Sequence, residues 1–584
     1  LMDLTPEELV DEDEAVGLLE PVAALEAPGR TGKQTWRYRF PDQEMELERG
    51  EVYDPRRKQD DPGAYPSAWR IGELVDVDLR GRTIDVKRSA ADPHPRALVG
   101  LTQFRTDSHR ARLMELGTWI AEHGVDGDGP FRAGRDLLLG RPPRVGQAVA
   151  SDLHRPEETQ LAAARRLALA LDHTTLAIQG PPGSGKTYSA ARMISTLLHA
   201  GRRVGITGTS HKVISNLLTA VLKAADEEDV TVRAVQHNPS GEVVDDPRVA
   251  KATGADDARA RLEDDRANLA AGTSWLWTST KMVNAVDVLF IDEAGQISLA
   301  NVLAMAAAAS NLVLLGDPQQ LEQPLQGTHP PGAERSALGH LLGADATMPP
   351  IRGLFLERTW RLHPDLCAFT SEAFYESRLE SEPHLVLQAV HAAASSRPVD
   401  GTGPRYLSSP SVDADSDSPE EADAVAALAR SIVEGGTRWT DEHGVTRRVG
   451  WADVLIVAPY NAQVGGIQRL LPPEARVGTV DKFQGQEAPI SIYSLTTSSP
   501  ELAPRGMDFL YSSNRLNVAT SRARCVAVVV GSPDLWRVRA RTPVQMRLAN
   551  AFCRFLEMAA AASSDGALPV RARPEFEVLS LDLI

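Results

Sequence analysis

Eight consecutive residues, Gly180-Pro181-Pro182-Gly183-Ser184-Gly185-Lys186-Thr187, have the types and spacing to hold a phosphate. The glycines at 180, 183 and 185 let backbone N–H groups turn inward on an anion. Lys186 adds a point charge suited to β- and γ-phosphates, and the Thr187 hydroxyl suits Mg²⁺. The flanks agree: Thr174 to Gln179 reads as a strand entering the loop, and Ala190, Met193, Ile194, Leu197 and Leu198 recur at helical spacing after it. The loop therefore opens a helix N-terminus, whose dipole favours anions. A chance match in a glycine-rich turn is the competing reading, and the strand-loop-helix context argues against it.

A second candidate is the acid pair Asp292-Glu293, which follows the apolar run Val286–Ile291 directly. An acid at the carboxyl end of a buried strand suits a metal. Asp292 is placed to hold Mg²⁺ and Glu293 to orient or deprotonate an attacking water. Alone, two surface acids capping a strand would explain the pair; beside a phosphate loop they read as one site. The run Leu312–Leu315 ends similarly in Gly316-Asp317-Pro318-Gln319-Gln320. Gln320 as a γ-phosphate sensor and Gln319-Gln320 as plain loop residues stand level on spacing alone.

These residues need elements to position them. From 151 to 345, the runs Val204–Ile206, Val286–Ile291 and Leu312–Leu315 alternate with helical patterns. A later set comprises Val454–Ala458, Val477–Val480, Ile490–Leu495 and Val526–Val530. Such alternation indicates parallel sheets flanked by helices, hence two tandem α/β domains. Before them, residues 30 to 90 alternate as strands. Trp36, Tyr38 and Phe40 interleave with Arg37 and Arg39, and a hairpin from Glu73 to Lys87 turns at Arg80-Gly81. A small β-barrel is expected there, followed by a helical stalk from Thr106 to His123. The aromatic stripe, with Trp69, reads as barrel core rather than a base-stacking platform. The expected layout is an acidic leader over 1–29, the barrel and stalk over 30–150, α/β domains over 151–345 and 346–565, and a tail over 566–584.

Composition bounds the setting. The 584 residues are 42% hydrophobic and 24% charged, an ordinary globular balance with room for several cores. There is no bilayer-length apolar run, and the acidic N-terminus is no secretory leader. Cys367, Cys525 and Cys553 stand far apart, which argues against a disulfide framework or a cysteine metal knuckle and points to a reducing cytoplasm. The net charge is −17, yet fourteen of those excess acids sit in two runs, 1–20 and 411–423, that contain no base. Both runs read as solvated, so a basic groove elsewhere is compatible with the total. Only nine of the 62 basic residues are Lys, so arginine clusters alone say little. The chain opens on Leu1 rather than Met, as a fragment with an upstream domain would.

The motifs in order carry a resemblance. Gln160, the phosphate loop, Thr207-Gly-Thr-Ser-His-Lys-Val-Ile-Ser-Asn-Leu217, Asp292-Glu-Ala-Gly-Gln296 and Gly316-Asp-Pro-Gln-Gln-Leu321 are followed by Trp360-Arg-Leu-His-Pro364, Ala458-Pro-Tyr460, Val480-Asp-Lys-Phe-Gln-Gly-Gln-Glu487 and Leu516-Asn-Val-Ala-Thr-Ser-Arg-Ala-Arg524. Over roughly 155–535 this resembles superfamily 1 helicases, in the 5′→3′ branch that includes the nonsense-mediated-decay RNA helicase and the Okazaki-fragment nuclease-helicase. Trp360 stands where the family often has Tyr, and Thr520-Ser521 replaces the commoner Leu-Thr.

The resemblance implies two RecA-like P-loop domains with ATP and Mg²⁺ between them, and 5′→3′ movement along single-stranded nucleic acid. It assigns adenine recognition to Gln160, base stacking to Trp360, ribose contact to Glu487 and γ-phosphate contact from the second domain to Arg361 and Arg522. Ser210, His211, Asn216 and Thr479 fall in motifs that line the nucleic-acid path. DNA is preferred over RNA because an upstream truncation would suit a fused nuclease. The rivals are an RNA helicase and an ATP-gated clamp that grips a strand without unwinding it. A simple nucleotide kinase would not need the second α/β domain.

Overall fold

Three large sheets and two small ones are found among the described residues of the computed structural model, which describes residues 1–563 apart from 13, 30, 42, 44, 46, 48, 62–65, 101–105, 147–152, 240, 322–331, 333, 484, 539 and 541. Thr175–Gln179, Val204–Thr207, Val286–Ile291 and Ala309–Gly316 lie side by side in a parallel eight-stranded sheet. Leu269–Ala271, Ala234–Gln236 and Val249–Lys251 extend one flank, and Gly353–Phe355 adds to Thr175–Gln179 on the other. The helices Lys186–His199 and His211–Glu228 turn Met193, Ile194, Leu197, Leu217 and Val221 into a core with Ile178, Ile206 and Phe290. Burial on both faces is why these strands are apolar throughout rather than alternating. A second parallel sheet runs Gly403–Ser408, Ala523–Gly531, Ala488–Ser494, Val454–Ala458, Arg476–Thr479.

The N-terminal sheet is antiparallel, in the order Ala15–Val16, Leu98–Gly100, Gly50–Tyr53, Arg70–Asp78, Thr83–Ser89, Lys33–Arg39, Glu20–Ala24. The expected small barrel is not confirmed: among the described residues the two end strands do not pair, so hydrogen bonding does not close the sheet. Of the aromatic stripe, Tyr38 and Phe40 are buried core, while Trp36 and Trp69 are only partly buried against the N-terminal clusters. Arg37, on the other face, grips Asp85 through two bonds of 2.7 and 2.8 Å.

The chain divides into two compact units, one of Leu1–Phe104, Leu362–Phe369 and Pro383–Ile584, the other of Arg105–Arg361 and Thr370–Glu382. Four expectations are corrected here. The 1–29 segment is not a loose acidic leader. Leu9 and Val16 are fully buried, and two of the sheet's strands come from it, because apolar residues sit between the acids. The Asp107–His123 helix belongs with the phosphate-loop sheet, not with the N-terminal one, since it packs on the Leu299–Met305 helix. The phosphate-loop sheet does not end by 345, because Gly353–Phe355 completes it. The acidic run 411–423 is not all solvated: it runs into the Pro419–Glu434 helix, where Glu421 is fully buried. The tail over 566–584 lies outside the described residues. Among the described residues the three cysteines are buried and unbridged, and no helix is long and apolar enough to cross a membrane.

Candidate nucleotide site

The phosphate loop bends where its glycines permit. Gly183 and Gly185 adopt φ of +70° and +78°, a region costly to residues with a Cβ. At Gly180 a Cβ would lie 2.1 Å from Lys186 Cγ and 2.8 Å from Ser184 Oγ, so glycine is needed there for space. The Lys186 ammonium donates to the Gly180 carbonyl at 2.5 Å, which holds it over the loop. Ser184 Oγ is buried without a hydrogen-bond partner among the described residues. A narrow glycine cradle, a cation over it, Thr187 one residue on and an unpaired hydroxyl in its wall fit a polyphosphate.

Asp292 sits at the carboxyl end of the Val286–Ile291 strand and is 7% exposed. Burial, then the charge of Glu293, pushes its carboxyl up to about 7, while the Lys186 ammonium acts the other way. A carboxylate in that position gains from a bound cation. Glu293 has φ +55°, uncommon for a residue with a side chain. Its own amide donates to Asp292 Oδ1 at 3.0 Å, so the tight turn and the carboxylate fix each other. Gln320 Nε2 donates to Asp317 Oδ2 at 2.7 Å. The Tyr375 hydroxyl donates to the same oxygen at 2.6 Å, and Gln179 Nε2 approaches the other at 3.4 Å. Gln320 is therefore held in a buried network rather than loose in a loop.

Beside the loop lies a cavity of about 880 Å³ lined by Glu158, Gln160, Tyr188, Glu357, Trp360 and Glu382, among others. Gln160 is clamped at both ends: Nε2 donates to the Phe355 carbonyl at 2.9 Å, and the Glu357 amide donates to Oε1 at 3.1 Å. The clamp fixes which way the carboxamide faces and leaves one N–H and one lone pair side by side. That donor-acceptor pair matches N7 and N6 of adenine. Trp360 is 58% exposed, an unusual cost for an indole, and lines the same cavity.

Arg361 departs from expectation. It lies in the phosphate-loop unit, not in the unit of the second parallel sheet. The cause is local. Thr359 Oγ1 donates to the Pro182 carbonyl at 2.9 Å, and the Trp360 amide donates to the Gly183 carbonyl at 2.9 Å. These bonds seat Arg361 against the loop. The other unit holds Glu487, Arg522 and Thr479. Arg522 is 2% exposed, with Nη1 3.4 Å from the Gln486 carbonyl. Of the residues expected on a nucleic-acid path, Ser210 caps the His211–Glu228 helix, His211 opens it and Asn216 is exposed on it. Thr479 ends the Arg476–Thr479 strand of the other unit. Thr359 and Tyr375 were missed by sequence reasoning. Asp317 was inside a recognised motif, but nothing marked it as the anchor of Gln320.

A parallel sheet whose phosphate loop joins the Thr175–Gln179 strand to a helix, with an acid pair at the end of the strand one further over, across Ala309–Gly316, defines the P-loop nucleotide-binding class. A family model described as an AAA domain matches residues 155–329, and a second, also an AAA domain, matches 334–534. The DNA replication ATP-dependent helicase/nuclease JHS1 of Arabidopsis thaliana is 26% identical over 398 residues, covering 64% of this chain and 28% of that protein. The Regulator of nonsense transcripts 1 homolog of Drosophila melanogaster is 25% identical over 461 residues, covering 68% and 36%. The crystal structure of Arterivirus nonstructural protein 10 (helicase) aligns over 89% of this chain and 78% of that one, at 13% identity and TM-score 0.39. With the motif order, the two family models and the two curated relatives place the chain in superfamily 1 of the helicases, in the branch of the nonsense-mediated-decay and Okazaki-fragment enzymes. The chain spans well under half the length of either curated relative.

Proposed function

We propose that the chain is an ATP-dependent translocase and helicase that moves 5′→3′ along single-stranded nucleic acid, with DNA as the favoured strand. The observation that carries this is the assembly around Lys186. A glycine cradle, a buried Asp292 at the end of a strand of the same sheet and a clamped Gln160 lining an adjoining cavity together suit an adenine nucleotide with its metal. Thr187 and Asp292 are the residues for Mg²⁺, which when bound neutralises charge on the β- and γ-phosphates. Lys186 shares that charge. Glu293 would orient the attacking water and accept its proton, and Gln320, pinned by Asp317, would sense the γ-phosphate. Arg361 and Arg522 add cations, and such arginines are worth about 10³–10⁵ in rate in other systems. Gln160 reads adenine, Trp360 stacks on it and Glu487 meets the ribose. Ser210, His211, Asn216 and Thr479 line the strand's path.

The decisive experiment is an unwinding assay with 5′- and 3′-tailed duplexes of DNA and RNA, with Lys186→Ala as the control. Unwinding of the 5′-tailed DNA duplex by the unmodified chain alone is the expected result. Preference for the RNA duplex makes it an RNA helicase. Strand-stimulated ATPase without unwinding makes it a clamp. Retained ATPase in Lys186→Ala refutes the site.

A further inference from the structure

Tyr188 directly follows the phosphate loop and belongs to none of the motifs that place the phosphate or the metal. It sits in the first turn of the Lys186–His199 helix. Its neighbours Ser189 and Ala190 are buried, yet the tyrosine is 52% exposed, which leaves a large apolar area in water. That area is not on open surface. Tyr188 lines the cavity of about 880 Å³ that Gln160 and Trp360 also line. Every residue of that lining belongs to one compact unit, that of Arg105–Arg361 and Thr370–Glu382.

The ring is held in place. Arg192, one helical turn on, lays its guanidinium over it, with Cζ 3.4 Å from the ring centroid. The helix dictates this, because side chains four residues apart share a face and lean toward the helix N-terminus. Arg192 is itself anchored: Nη2 donates at 2.5 Å to Glu227 Oε2 on the His211–Glu228 helix. Arg192 is not part of the cavity lining. The cation therefore backs one face of the tyrosine ring and leaves the other to the cavity. Trp360 reaches the same cavity from a different element. Its amide donates to the Gly183 carbonyl at 2.9 Å, so its backbone is tied to the loop that Tyr188 follows. Two aromatic rings and the clamped Gln160 carboxamide thus share one lining. A flat ring system with polar edges fits it: aromatic faces for its planes, a donor-acceptor pair for its edge.

We propose that Tyr188 is a second stacking wall for the nucleotide's base, which lies between its ring and that of Trp360. The proposal rests on the reading of the nucleotide site given above and deepens it, since the base is gripped by two rings rather than one. Every base has a π-face, so Tyr188 supplies affinity while Gln160 supplies the choice of adenine.

The test compares ADP with inorganic pyrophosphate, each with Mg²⁺, by isothermal titration calorimetry on the full chain. The two share a diphosphate, so their difference isolates the nucleoside. Tyr188→Ala should weaken ADP about tenfold, the size of a lost base–aromatic stack, and move pyrophosphate by less than about twofold. Tyr188→Phe keeps the ring and should hold ADP as the unmodified chain does. Undiminished ADP binding by Tyr188→Ala overturns the wall while the site reading stands. Equal losses for ADP and pyrophosphate overturn it too, because Tyr188 would then only brace the loop. A loss in Tyr188→Phe as large as in Tyr188→Ala assigns the effect to the hydroxyl and sinks the stack. If the unmodified chain binds ADP no more tightly than pyrophosphate, the cavity takes no base, and the reading of the site falls with the proposal.

Discussion

Gly183 is the residue in the phosphate loop with the least freedom to change. It combines φ +70° with a crowded outer face: a Cβ would lie 2.4 Å from Arg361 Cβ and 2.7 Å from Thr359 Oγ1. Neither neighbour is the far end of a flexible chain, so Gly183→Ala must move backbone. The left-handed conformation alone costs a residue with a side chain about 1–2 kcal/mol. Nucleotide affinity should therefore fall at least tenfold, which is about 1.4 kcal/mol, while the sheet stays folded. Titration with a fluorescent ATP analogue, with circular dichroism alongside, checks this; unchanged affinity would show that the Thr359–Arg361 segment does not brace the loop. The glycine was legible in the sequence because its spacing is dictated by phosphate geometry. Thr359 was not, because one hydroxyl bonding a carbonyl 177 residues away leaves no periodic trace.

At the scale of elements, the Pro419–Glu434 helix shows how a charge run can mislead. Ser418 caps it, its Oγ accepting the Glu421 amide, and Glu421 would complete a capping box by reaching back to Ser418. Instead the Ser418 amide donates to Gln463, and Glu421 Oε1 accepts the Ser494 hydroxyl at 2.6 Å and the Thr496 amide at 2.7 Å. Its other oxygen is buried without a partner among the described residues. Burial outweighs these bonds and pushes the carboxyl up to about 7 from the usual 4.5. The folded chain therefore keeps this proton up to about pH 7, while the unfolded chain releases it near 4.5. Between those values the folded state binds more protons, so stability from this group falls as pH rises, by on the order of 3 kcal/mol at pH 8 relative to pH 4. Glu421→Gln keeps the accepting oxygen and removes the titration. Its urea midpoint should gain on the unmodified chain between pH 4 and pH 8, and parallel profiles would mean Glu421 is not buried as a neutral acid. The strands of both parallel sheets were legible because burial on two faces demands continuous apolar runs. The Glu421 site was not, because six acids without a base look the same in water as they do with one folded inside.

For the whole molecule, charge sets how a strand can be held. The total of −17 opposes a polyanion, and the residues proposed for the nucleic-acid path carry almost no positive charge. Ser210, Asn216 and Thr479 are neutral, and burial lowers the His211 pKa, which keeps that imidazole neutral at pH 7. Hydroxyl, amide and backbone contacts to phosphates position a strand but displace few condensed counterions. Each fully neutralised phosphate on a single strand contributes about 0.7 to the slope of log affinity against log salt. A path built from neutral donors with one or two flanking cations should give a slope near 1. Affinity for oligo-dT should then fall only about fourfold between 50 and 200 mM salt. Fluorescence anisotropy with the Lys186→Ala chain, which separates strand binding from hydrolysis, measures it directly. A fall of a hundredfold would require about five neutralised phosphates, and with them a basic groove absent from the proposed path. No fall at all would mean that the strand's phosphates are not being held.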